Sequence, residues 1–305
     1  MLRYVDIVVQ AELVEAERRD LPPYLGATLR GAFGHLLKQT VCQVRHTPCE
    51  ECFLQKVCPY PTLFEGVRPL SAESPFRGRS RVAQPFVLLV PPAIDLAPCD
   101  RTLSWGVRLF GNSCRLWPYV VHVFRQAGER GIGTKRVRYN IMKVTDDSGQ
   151  EISSQTDHSS PRIHAVGEKL PSTADQILFR FITPLRLAKN NRGTGSSLNP
   201  LEFVLAGRRR YAEIVALYGD AQPIPCSLHR VEEHDFEVLE SNLHRWGFNR
   251  YSGRQKRTMT LAGLVGEAVI RGPWDSVGPW LEAAPATHLG KSTSFGFGRV
   301  EWNPV

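Results

Sequence analysis

The sequence predicts an α+β chain in which the order strand, helix, strand, strand, helix, strand occurs twice, the arrangement of two tandem ferredoxin-like (RRM-like) domains. Two periodicities and one interruption lead there: alternation at period two marks strands, spacing near 3.6 marks helices, and a polar stretch at 151–175 separates the runs. In the first run, Arg3 to Leu13 alternates, with Val5, Ile7, Val9 and Ala11 on one side. Pro22 and Pro23 then open a helix along which Leu25, Leu29, Ala32, Phe33 and Leu36 recur to about Thr40. Pro85 to Val90 and Thr102 to Phe110 read as strands, Leu116 to Glu129 as a helix and Val137 to Val144 as a strand. In the second run, Ile177 to Leu187 is a strand and Leu201 to Tyr218 a helix, with strands near 226–248 and at Thr258 to Ile270. A helix at Trp274 to Leu281 and a final strand from Phe295 to Trp302 complete it. The predicted domains are 1–150, with a four-cysteine insertion at 42–58, and 176–305. Residues 151–175 form a linker or surface excursion.

The bulk numbers narrow the function classes. Hydrophobic residues make up 42% of 305 and charged residues 22%, a globular balance with room for two cores. A net charge of +8 points to a polyanionic partner. No apolar run reaches the roughly 18 residues of a membrane span, and the first residues lack the build of a signal peptide, so the expectation is a soluble, cytoplasmic protein.

Near the C-terminal end, Gly290, Lys291, Ser292, Gly296, Gly298 and Arg299 crowd into one turn. Glycines let backbone N–H groups approach an anion, and the two cations supply charge. A nucleotide-binding P-loop requires a glycine where Pro285 stands and a helix afterwards. Since the following residues read as a strand, an NTPase is disfavoured and a loop that grips a nucleic-acid backbone is the better reading. Arg245, Arg250, Arg254, Lys256 and Arg257, interleaved with Trp246, Phe248 and Tyr251, extend the basic surface in a pattern that pairs phosphates and stacks bases. Further cations, Arg136 among them, surround the turn at Gly131 to Gly133, and Arg208 to Arg210 sit on the second-half helix.

Cys42, Cys49, Cys52 and Cys58 follow the spacing C-x6-C-x2-C-x5-C, whose central pair can bring two thiolates to one metal. Four thiolates close a tetrahedron and leave no place for water, so the expected metal is structural, zinc first, with an iron–sulfur cluster as the alternative. His46 could replace one ligand. On the first helix, at about 100° per residue, Tyr24, Thr28, Gly31, His35 and Lys38 share a face opposite the apolar one.

Several segments in order, Leu29 to His35, Cys58 to Glu65, Gly131 to Arg136, Phe181 to Leu187, Gly263 to Glu267 and the glycine loop, together resemble the RAMP-superfamily CRISPR repeat-processing endoribonucleases. The resemblance implies tandem ferredoxin-like domains and a loop of the form G-h-G, five residues, G-h-G, where h is apolar. His288 stands here at the first glycine. It also implies cleavage of CRISPR repeat RNA in a guide precursor without a catalytic metal, by the substrate's 2′-hydroxyl, leaving a 2′,3′-cyclic phosphate and a 5′-hydroxyl. His35 would be general base or acid, Lys38 the charge stabiliser and Tyr24 the positioner, with His46 and His288 in reserve. The alternative it implies is a non-catalytic RNA-binding subunit of a multi-subunit CRISPR effector complex.

Overall fold

The computed structural model describes residues 1–65, 82–92, 99–152, 159–166, 174–187, 197–220, 232–252, 257–277 and 279–305. They divide into two compact units, one running from Leu2 to Ala165 and the other from Val166 to Val305 together with Met1.

In the first unit, β1 (Leu2–Leu13) lies between β3 (Thr102–Phe110) and β4 (Tyr139–Thr145), and β2 (Phe86–Leu89) pairs with β3, all antiparallel. The alternation of β1 is realised: Val5, Ile7, Val9, Ala11 and Leu13 are buried. Helices α1 (Leu25–Val41) and α2 (Trp117–Arg130) contribute Leu29, Phe33 and Leu37, and Val120, Phe124 and Ala127, to the core. The ring of Phe33 packs at 5.5 Å from Phe86 and 5.6 Å from Phe124, which meets Trp105 at 5.5 Å. Such aromatic pairs contribute about 0.5–1.5 kcal/mol each beyond their burial. Part of the predicted linker belongs to this unit, since β5 (His164–Val166) pairs with β1 and the His164 ring stacks on Tyr4 at 5.1 Å.

The second unit repeats the order. Its sheet runs β7 (Glu237–Ser252), β8 (Arg257–Arg271), β6 (Gln176–Leu185), β9 (Val300–Pro304), again antiparallel. Both units thus carry two helices on a sheet of the strand order consistent with tandem ferredoxin-like domains. Helix α3 (Pro200–Tyr218) is capped by Asn199, whose Oδ1 accepts from the Glu202 amide at 2.8 Å. Gly207 of α3 allows close packing of Trp280, since a Cβ there would lie 2.3 Å from the indole.

Two predicted elements are displaced. Instead of a helix at Trp274 to Leu281, a short 3-10 turn covers Trp274–Ser276 and α4 spans Trp280–Thr287, with Pro285 inside it. Proline removes the amide that would bond the Leu281 carbonyl, and the indole Nε1 of Trp302 donates to that carbonyl instead, at 2.9 Å. The final strand begins at Val300 rather than Phe295, because Gly296 and Gly298 adopt φ of 87° and 73°, incompatible with extended backbone.

Candidate catalytic face and glycine loop

The outward side of α1 carries Gly31, His35, Lys38 and Gln39, all exposed. The stripe seen in the sequence holds for these residues but not for Tyr24, which precedes the helix and is 1% exposed, its phenol pushed well above the ordinary value by burial. Tyr24 is a core side chain at the head of α1, not a member of the exposed row.

His35 is held by a partner the sequence reading passed over. Gln39, one turn on, places Nε2 3.0 Å from His35 Nε2, and its Oε1 accepts from Arg130 of α2 at 2.6 Å. A guanidinium can only donate, so the amide oxygen faces Arg130 and the amide nitrogen faces the imidazole. Gln39 therefore donates to His35 Nε2, an arrangement that fits the tautomer with its hydrogen on Nδ1. A Gln four residues after a His on an exposed helical face was the available signal. Gln39→Leu is expected to weaken this tautomer preference, which nitrogen NMR of the imidazole measures.

Lys38 lies with its Nζ 5.2 Å above the Tyr60 ring, and Tyr60 stacks on Phe64 at 5.5 Å. Phe64 belongs to a π-helical turn, Pro61–Glu65, that docks beside Phe33 at 5.0 Å. The chain after the cysteines is thus seated against α1. All four cysteines line one cavity together with Tyr60 and Pro61. Among the described residues, however, no group of three or more His, Cys, Asp or Glu side chains is gathered as a metal site. Burial raises the Cys49 and Cys58 thiols, with Lys38 pulling Cys49 the other way. His46 is exposed in the turn region after α1.

In the second unit the glycine loop is packed closely against neighbouring backbone. A Cβ on Gly290 would meet the Arg186 carbonyl oxygen at 2.5 Å, and one on Gly298 would meet the Leu289 carbonyl oxygen at 1.8 Å. The amides of Leu289, Lys291 and Gly298 donate to the carbonyls of Gly298, Arg186 and Pro184 at 2.8, 2.8 and 3.0 Å. Thr183 adds a side-chain clasp: its hydroxyl donates to Gly296 O at 2.7 Å and accepts from the Arg299 amide at 2.9 Å. Gly296 and Gly298 are buried, so these glycines admit backbone to backbone. Lys291 is exposed, Ser292 has left-handed backbone at φ 66°, and Arg299 reaches Glu301 at 3.2 Å.

His288 at the head of the loop is fully buried, with φ 56° and its Nδ1 3.2 Å from the Phe297 carbonyl. A side chain other than glycine thus occupies a left-handed position, and as a buried member of the core it cannot act as a reserve catalyst. The hairpin of β7 and β8 continues past its last pairing with β6, at Leu264, and Phe248 meets Phe297 at 6.3 Å, bringing the aromatic, basic arm to the loop. Arg245 is exposed on that arm. The side chains of Arg250 and Arg257, and the residues Arg254 and Lys256, lie outside the described residues, as does Cys226. Arg136 is exposed, with φ 52°, in the turn closed by Ile132 and Val137.

The cluster at Arg208 to Arg210 is corrected: Arg208 and Arg210 are each 7% exposed, and Arg210 donates twice to the Thr287 carbonyl, from Nε at 3.2 Å and Nη2 at 3.1 Å. Burial lowers its pKa to about 10. Arg210 thus braces the entrance to the glycine loop, and Arg208 is buried rather than part of a solvent-facing phosphate track.

Comparison with known proteins agrees with this doubled architecture. The AF_1859_N family model, an N-terminal domain, matches residues 3–166, more than half of the 305, and the model described as CRISPR-associated endoribonuclease Cas6 matches residues 179–300. An uncharacterized protein of Archaeoglobus fulgidus is 30% identical over 134 residues, a stretch covering 43% of this chain and 44% of that protein. The chain thus aligns with less than half the length of this relative. A Cas6 product complex, of a Thermus thermophilus protein, superposes with TM-score 0.60 over 98% of this chain and 100% of the other, at 17% identity. A partial Cas6-RT-Cas1–Cas2 complex gives TM-score 0.53 over 100% of this chain and 46% of the longer one, at 13% identity. At such identities the structures speak for the fold. Among the described residues no helix is long and apolar enough to cross a membrane. By the model that spans more than half of it, the chain belongs to the AF_1859_N family, and its second unit is similar to the model described as CRISPR-associated endoribonuclease Cas6, on the strand order both units share.

Proposed function

We propose that this chain cuts CRISPR precursor RNA within its repeats, using the substrate's own 2′-hydroxyl as nucleophile and no catalytic metal. The observation that carries the reading is His35 exposed on α1, its Nε2 3.0 Å from Gln39, whose amide Arg130 orients. The 2′-hydroxyl would replace Gln39 as the donor to Nε2 and pass its proton there while its oxygen bonds the adjacent phosphorus. The bond to the 5′-oxygen then breaks, that oxygen takes a proton, and the products are a 2′,3′-cyclic phosphate and a 5′-hydroxyl. Lys38, three residues along the same face, offsets the charge that builds on the phosphorane. Gly31, one turn before His35 on the same exposed face, has no atom within 4 Å of where a Cβ would stand. Tyr24, from the core, would fix the start of α1 rather than touch RNA.

Binding falls to the exposed cations Lys291, Arg136 and Arg245 and the half-buried Arg299, with the arginines and lysine of the β7–β8 arm and Ser292 and Gly290 of the loop. Gly296 and Gly298 would act through the loop's shape. Lys291→Ala is expected to weaken repeat RNA uniformly across sequences and to reduce the slope of log affinity against log salt by about one. Binding titrations at several salt concentrations measure both.

The deciding experiment incubates the purified chain with repeat RNA in excess chelator. Cleavage should persist, and a 2′-deoxy nucleotide just upstream of the scissile phosphate should abolish it. Intact RNA under conditions of demonstrated binding would replace this reading with that of a non-catalytic RNA-holding subunit of a larger CRISPR complex.

A further inference from the structure

Residues 42–58 form a segment with no helix and no strand, and none of its side chains is buried. Phe53 and Val57 are 83% and 72% exposed. So thin a core cannot offset the conformational entropy of ordering seventeen residues, and small scaffolds of this kind rely on a covalent or metal staple. Yet the segment is tightly turned: the amides of Glu51, Cys52 and Cys58 donate to Pro48, Cys49 and Leu54 at 3.0, 3.4 and 2.9 Å. The turns deliver Cys42, Cys49, Cys52 and Cys58 to the wall of one cavity of about 20 Å³, and the remaining lining includes Val41, Leu54 and Pro61. A space of that size takes little more than a single small occupant.

We propose that these four cysteines bind one structural zinc ion as a tetrathiolate, with the sulfurs drawn inward from the cavity wall on metal entry. The donor set suits zinc, which takes four thiolates tetrahedrally and keeps no open position. Cys42 is the C-cap of α1, its amide bonded to the Lys38 carbonyl at 3.0 Å, and Cys58 directly precedes the turn that seats Tyr60 beneath Lys38. The ion therefore fastens the segment at both ends, to the last turn of the helix that carries His35 and to the aromatic support of Lys38. The ligands must lose their protons, so loading is weakened at low pH.

The test needs no RNA and stands apart from the cleavage reading. The full chain, purified without chelator, should hold about one zinc per molecule by elemental analysis. Cobalt substitution should give the charge-transfer absorption of a tetrahedral thiolate site. A thiol reagent should modify exposed Cys99 at once and the four cluster thiols only after chelation. Cys52→Ser should lose most of the zinc, and the reactivity measurement on the unmutated chain keeps the test valid if that variant does not fold. Folded protein with zinc well below one per chain, iron with labile sulfide, or the four thiols already paired as disulfides would each overturn the proposal.

Discussion

His35→Ala is expected to lower the single-turnover rate of repeat cleavage by about 10²–10⁴-fold, the range a positioned general acid or base contributes, while RNA binding is retained. The substitution removes little else. His35 is exposed on α1, its one recorded hydrogen bond runs to Gln39 on the same surface, and alanine is the best helix former, so the fold should be undisturbed. The buried face of the helix, Leu29, Phe33 and Leu37, is untouched. Gel-resolved cleavage of labelled RNA, with affinity measured on a 2′-deoxy substrate, separates rate from binding. A His35→Ala protein that cuts at the normal rate would remove His35 from the chemistry, and the exposed histidines His46 and His122 would be examined next. His288→Ala should behave differently: its imidazole is enclosed, so the loss would register as weakened folding of the second unit.

The parts of this molecule that were legible in the sequence are those governed by short-range periodicity. Val5, Ile7 and Val9 announce β1 because a strand buried on one face must alternate, and Leu29, Phe33 and Leu36 announce α1 for the corresponding helical reason. Where a distant group supplies what the local sequence lacks, reading failed. Pro285 argues against a helix, and the indole of Trp302, arriving from β9, supplies a donor to the Leu281 carbonyl that proline leaves without its amide. Arg208 and Arg210 look like a charged surface in sequence, but the Thr287 carbonyl near the glycine loop draws Arg210 inward. At the candidate site, His35 and Lys38 were visible from helical spacing alone. The hydrogen-bond partner of His35 was not, because it depends on Arg130 fixing the orientation of the Gln39 amide from another helix. Tyr24 fell on the right face of an ideal wheel, but the helix begins only after it, so its side chain follows an extended backbone into the core.

The glycine loop yields the second large effect. Gly298→Ala is expected to destabilise the second unit by about 3 kcal/mol or more, within the range reserved for a strained backbone inside a packed region. Its φ is 73°, and a Cβ would lie 1.8 Å from the oxygen, 2.8 Å from the carbon and 2.9 Å from the nitrogen of Leu289, all backbone atoms that no rotamer change can move. Relief requires pulling the two segments apart, which breaks the bonds from Leu289 N to Gly298 O and from Gly298 N to Pro184 O. For a unit of this size the loss corresponds to roughly 10 °C in the melting transition. Gly31→Ala is the matched comparison: the position is exposed on α1 with nothing within 4 Å of its Cβ, so the helix should gain up to about 1 kcal/mol. Calorimetry of the two variants discriminates between two uses of a loop glycine. If Gly298 were there to let the loop amides approach a phosphate, Gly298→Ala would weaken RNA binding and leave the transition where it was. Because the nearest atoms to that missing side chain belong to Leu289, the transition itself should fall, and RNA affinity should follow only as Lys291 and Arg299 lose the frame that holds them.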